Sequence, residues 1–73
     1  MGKLKQAIKA FINLKSFKYY PKKHVITIAY DSSELKRNEN VIKQFARYRY
    51  EYTGGCIDTA KNIKWERYQQ RTK

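Results

Sequence analysis

No carboxylate appears in this chain until Asp31, and seven lysines precede it: Lys3, Lys5, Lys9, Lys15, Lys18, Lys22 and Lys23. Beyond that point ten Lys and Arg residues face six acids, and the net charge reaches +11 over 73 residues. A like-charge field of this size opposes compaction by self-repulsion and draws in polyanions. Any fold must offset the repulsion with a small core, because a chain of this length buries only about 60% of its unfolded surface. The predicted result is one domain over residues 1–73 with a few kcal/mol of net stability, as a monomer or homodimer.

The composition still supports a core. Hydrophobic residues make up 41% and aromatics 15%, above what a disordered polyelectrolyte carries. One Pro and three Gly imply few and short loops. Cys56 is the only cysteine, so neither an internal disulfide nor a zinc finger can form. That predicts a reducing, cytoplasmic setting. The longest apolar run, Val25–Tyr30, is far short of the roughly 20 residues of a membrane span, and the N-terminus lacks the pattern of a secretory signal.

Local patterns predict the elements. Leu4, Ile8, Phe11 and Ile12 recur at helical spacing, so residues 3–15 read as a basic amphipathic helix with Lys5 and Lys9 on its polar face. Ser16–Lys23 reads as a connector, stopped by Pro21. Val25–Tyr30 is β-branched and reads as a strand. Asp31-Ser32-Ser33-Glu34 resembles a capping box and starts a helix carrying Leu35, Ile42, Phe45 and Ala46, with Val41 at the edge of that face. Asn38-Glu39-Asn40 weakens its middle, so it begins later or breaks there. Tyr48, Tyr50 and Tyr52 alternate with Arg47, Arg49 and Glu51, which predicts a strand. Thr53-Gly54-Gly55 then reads as a hairpin turn into Cys56–Thr59, preferred over a helix that continues through Tyr52 and is capped by Gly54. For residues 60–71 a helix carrying Ile63 and Arg67 is preferred over a strand through Ile63-Lys64-Trp65-Glu66-Arg67. The fold class is α+β: N-terminal and central helices packed on a short, mainly antiparallel sheet.

The tyrosines are the second signal. Tyr19 and Tyr20 sit beside Lys18, Lys22 and Lys23, and the Tyr48–Tyr52 run interleaves with Arg47 and Arg49. Nucleic acids are held by cations along phosphates and, when single-stranded, by aromatic faces under bases. The expected binding residues are therefore Lys5, Lys9, Lys18, Tyr19, Tyr20, Lys22, Lys23, Arg47 and Arg49. The leading expectation is a nucleic-acid-binding protein, DNA or RNA, with weak sequence specificity. The alternative is a phage- or plasmid-type modulator that docks on an acidic protein surface, with Phe17 and Trp65 as candidate anchors, although core burial is the preferred reading of each. Membrane association through the first helix would expose apolar residues that the small core needs. His24 invites an enzymatic reading as a ribonuclease acid or base, but no catalytic partner set accompanies it. The glycine-rich phosphate loop and the glycine of the RNA-recognition-motif signature are missing. No enzyme activity and no cofactor is expected.

Overall fold

The computed structural model describes residues 2–71. Helix α1 spans Gly2–Lys9, strand β1 Leu14–Tyr20 and strand β2 Val25–Asp31. A 3₁₀ segment, Ser32–Arg37, leads into helix α2, Asn38–Arg47; strands β3, Tyr50–Asp58, and β4, Ile63–Gln70, follow. The strands form one antiparallel sheet in the order β1-β2-β4-β3. Both helices lie on one face, so the α+β architecture predicted from the sequence is what the chain adopts.

Every strand alternates between a helix-covered face and an open one. On the covered face, Ile26, Ile28 and Tyr30 of β2, Tyr68 of β4 and Tyr50 of β3 meet Leu4 and Ile8 of α1, Ile12, and Val41 and Phe45 of α2. The Phe45 ring stacks on Tyr68 with centroids 3.7 Å apart and meets Tyr50 edge-on at 6.1 Å. Glu66 is the single charged residue in this core among the described residues, only 1% exposed. The Tyr30 and Tyr68 hydroxyls donate to its two oxygens at 2.5 and 2.6 Å, and the Asn38 side-chain amide donates to it as well.

Asp31 caps the 3₁₀ segment as expected, its carboxylate accepting from the Ser33 N–H at 2.9 Å. That bond holds its pKa below the usual carboxylate range. The predicted weakness at Asn38–Asn40 is the junction where 3₁₀ geometry becomes α-helix. Leu35 and Ala46 are exposed and Val41 is buried, so the buried face is rotated from the predicted one.

Three expectations are corrected. First, the N-terminal helix stops at Lys9 and residues 14–20 are a strand, not helix end and connector. Ile12 reaches the core through a turn, its N–H donating to the Ile8 carbonyl at 3.2 Å. A helical spacing of apolar residues is thus satisfied without a continuing helix, while Phe17, Tyr19 and Tyr20 favour extended backbone. Second, Thr53-Gly54-Gly55 is not a turn. It lies inside β3, where the register shifts between Tyr52 and Gly54 as an edge bulge. Tyr48 falls outside that strand as the C-cap of α2. Third, residues 63–70 are a central strand, not a helix. The turn before it is Thr59–Asn62, closed by Asp58 accepting from the Lys61 N–H at 3.2 Å and by Asn62 at φ 56°. Asp and Asn there do what Gly-Gly does in a tighter hairpin.

Gly55 is required where it sits. A Cβ at this position would lie 2.5 Å from the Trp65 carbonyl oxygen and 2.7 Å from the Tyr52 hydroxyl. Gly55→Ala should therefore push β3 from β4 and lower stability by about 1–3 kcal/mol in urea unfolding. Wild-type stability in that variant would show that β3 yields freely.

Candidate nucleic-acid interface

The open face of the sheet is built of cross-strand rows fixed by the pairing register. One row reads Tyr20, Val25, Gln69, Glu51. The next reads Lys18, Thr27, Arg67, Gly54, and the third Ser16, Ala29, Trp65, Cys56. Val25 and Ala29 are buried among their neighbours, whereas Tyr20 and Trp65 are 42% and 36% exposed. Two aromatic surfaces thus stand diagonally across a row that carries two cations.

Charge is graded along this face. Lys22 and Lys23 extend the basic row beyond Tyr20, in the Pro21–His24 turn. That turn is closed by the Lys23 N–H donating to the Tyr20 carbonyl at 3.1 Å and by His24 at φ 55°. Asp31 and Asp58 lie in a fourth row at the other end, flanking Ile63. Glu51, the acid nearest the basic end, is engaged by Arg71 at 2.5 Å. The Arg67 guanidinium is oriented by Thr53 Oγ1 at 3.1 Å and Gln69 Oε1 at 3.4 Å. Gln69 in turn donates to the Lys23 carbonyl at 2.9 Å, tying the strand to the lysine turn. Both partners of Arg67 are neutral, so its full charge remains available to an anion.

Beside Trp65 the sheet is open. Gly54 brings no side chain to this face, its φ is 154°, and a Cβ there would touch nothing within 4 Å. The cleft that results is about 360 Å³ and is lined by Thr27, Gly54, Gly55, Cys56, Trp65, Glu66 and Arg67, the Glu66 carboxylate being turned to the covered face and 1% exposed.

Of the residues expected from the sequence, the structure gathers Lys18, Tyr20, Lys22 and Lys23 on this face and its adjoining turn. Tyr19 and Tyr20 are on a strand rather than in a loop, so they point to opposite faces, and Tyr19 lies on the helix-covered side near Tyr50. Lys5 and Lys9 belong to α1, and the Lys5 ammonium stands 5.6 Å from the Phe17 ring centroid. Arg47 and Arg49 are not strand partners: Arg47 ends α2, and Arg49 occupies the left-handed turn before β3 at φ 68°. Phe17 is packed against the core, the reading preferred over an anchor. Arg67 was not among the expected binding residues, and Trp65 was expected only as an anchor for a protein partner. The signal that could have found them is the strict alternation of Ile63-Lys64-Trp65-Glu66-Arg67, which as a strand puts both on one face.

Among the described residues no cluster of three His, Cys, Asp or Glu side chains could hold a metal, and no helix is long and apolar enough to cross a membrane. No known protein family, curated protein or solved structure matches the chain.

Proposed function

We propose that this protein binds nucleic acid with weak sequence specificity through the open face of its sheet. Lys18, Arg67, Lys22 and Lys23 contact phosphates, and the flanking aromatics contact bases or sugars. The observation that carries this reading is the row Lys18-Thr27-Arg67, set between exposed Tyr20 and Trp65, with no carboxylate among them. Surface charge retained only for solubility needs no aromatic neighbours and is served by mixed signs. Lys5, Lys9, Arg47 and Arg49 contribute to the general field, which speeds encounter without defining the site. The reading places the protein with intracellular nucleic acid in the cytoplasm, where the exposed Cys56 thiol stays reduced.

Salt dependence tests it. With about four phosphate contacts, affinity for a labelled oligonucleotide should fall roughly 50- to 150-fold between 50 and 200 mM salt. Lys22→Gln should reduce the logarithmic salt slope by about one. Absence of binding to both DNA and RNA at low salt would end the proposal. Recovery of one stoichiometric protein from nuclease-treated lysate would then direct attention to an acidic protein surface.

A further inference from the structure

The cleft beside Trp65 bears on which form of nucleic acid this face accepts. Resting on the binding function proposed above, we propose that the open face takes single-stranded nucleic acid, with one base seated in the cleft against the Trp65 indole and another stacked on Tyr20. Three features of the structure support this.

Accessibility is the first. The indole is 36% exposed, and beside it Gly54 leaves the sheet without a side chain. A large apolar ring left open at the centre of a four-stranded sheet loses burial that a small core can ill spare. A flat aromatic ligand restores that burial. In a duplex the base faces are already stacked on one another, and only an unpaired base offers a free face.

Spacing is the second. Trp65 and Tyr20 lie two rows apart along the strands, about 13 Å, and two strands apart across the sheet, about 9.5 Å. Their diagonal separation is then about 16 Å. This suits bases a few nucleotides apart on one extended strand, in the range of site sizes of about 4–16 nucleotides seen for sheet-based single-strand binders.

The third is the placement of charge. Lys18 and Arg67 occupy the row between the two rings, where the backbone linking two stacked bases would pass. Lys22 and Lys23 continue that path past Tyr20, while Asp31 and Asp58 repel it beyond Trp65. The strand therefore runs from the Pro21–His24 turn toward Trp65 and ends there. A base over Trp65 would also meet the Arg67 guanidinium, whose plane can contact aromatic rings.

Trp65 is the only tryptophan in the chain, which makes it its own reporter. The full chain would be titrated at low salt with oligothymidylate, with oligouridylate and with a blunt duplex of equal length. Indole fluorescence and the anisotropy of the labelled nucleic acid would be followed together. Single strands should quench the indole on the same isotherm as the anisotropy rise. Quenching by either sugar supports the proposal, and the tighter ligand distinguishes DNA from RNA. Trp65→Ala should weaken single-strand binding by about 5- to 150-fold, and Trp65→Phe should restore most of the loss. A single strand that raises anisotropy without changing the indole, or a duplex bound equally tightly, would overturn the single-strand assignment and leave the phosphate-directed function standing. No binding of any of the three would overturn both. The wild-type fluorescence arm needs no substitution, so the outcome holds even where Trp65→Ala fails to fold.

Discussion

Replacing Glu66 with alanine should leave the chain largely unfolded at room temperature. Glu66 sits on the covered face of β4, opposite Ile28 of β2 and Gly55 of β3, and is 1% exposed. Three donors end on its carboxylate: the hydroxyls of Tyr30 and Tyr68 and the Asn38 amide. Asn38 also donates to the Tyr30 hydroxyl at 3.4 Å, so the first residue of α2 is fastened to two central strands through this cluster. Alanine would remove the acceptor from all three at once and leave a cavity. A buried donor without a partner costs about 1–3 kcal/mol, and breaking a buried charged cluster costs about 3–5 kcal/mol in total. A domain of this size holds only a few kcal/mol of net stability, so the loss is of the order of the whole. Glu66→Gln keeps the volume and one acceptor oxygen but turns an amide donor toward other donors. Since a tyrosine hydroxyl can rotate to accept, Gln should cost about 1–3 kcal/mol and leave a folded protein. Far-UV circular dichroism and urea unfolding of the two variants decide the matter. A Glu66→Ala protein that unfolds like wild type would show that water, not the carboxylate, satisfies these hydroxyls.

That cluster also marks where the sequence stops being informative. Val25–Tyr30 and the Asp31 cap were legible because each signal is local: β-branched residues in a row, and a carboxylate two residues before the amide it caps. Glu66 was not, because its three partners lie 2, 28 and 36 residues away and only the sheet order joins them. The misreading of residues 53–70 has a single root. Gly54-Gly55 is the strongest turn signal in the chain, and here close approach to the Trp65 carbonyl, rather than chain reversal, requires Gly55. Once the turn is placed there, the return strand is misassigned to Cys56–Thr59 and the true partner, Ile63–Gln70, is left to be read as a helix. The candidate site was only partly legible for the same reason. Lys18, Tyr20, Lys22 and Lys23 are close in sequence and were readable as a group. Arg67 and Trp65 join them only because β4 lies next to β2, a long-range pairing. Composition pointed to a polyanion, and the topology showed which cations share a surface.

Alkaline pH should unfold the protein within about one to two units above pH 10, and the buried tyrosines should ionise only as it does so. Burial is the main cause that raises the pKa values of Tyr30, Tyr68 and Tyr50. Hydrogen bonding to Glu66 raises the first two further, and the neighbouring Tyr19 adds to the rise at Tyr50. The sign follows from proton counting. In the folded state these hydroxyls keep their protons, whereas in the unfolded chain they lose them near pH 10. Below that value the contribution to stability is constant. Above it, the unfolded state binds fewer protons, and stability falls by about 1.4 kcal/mol per pH unit for each withheld tyrosine. Tyr30 and Tyr68 together then remove about 2.8 kcal/mol per unit, and Tyr50 steepens the loss. One effect opposes this: unfolded or folded, a chain with 12 lysines would lose positive charge in the same range, and relief of self-repulsion favours the compact state. Exposed charges are screened over about 8 Å at physiological salt, so that relief is the smaller term, and raising the salt removes it. Tyrosinate absorbance and circular dichroism should accordingly show one set of ionisations coinciding with cooperative loss of structure. Tyr68→Phe should flatten the alkaline slope by about 1.4 kcal/mol per unit while lowering stability at neutral pH, because Glu66 loses a donor. Full ionisation of every tyrosine with the native circular dichroism intact would mean that these hydroxyls reach water in the folded state, and the buried carboxylate cluster would have to be abandoned.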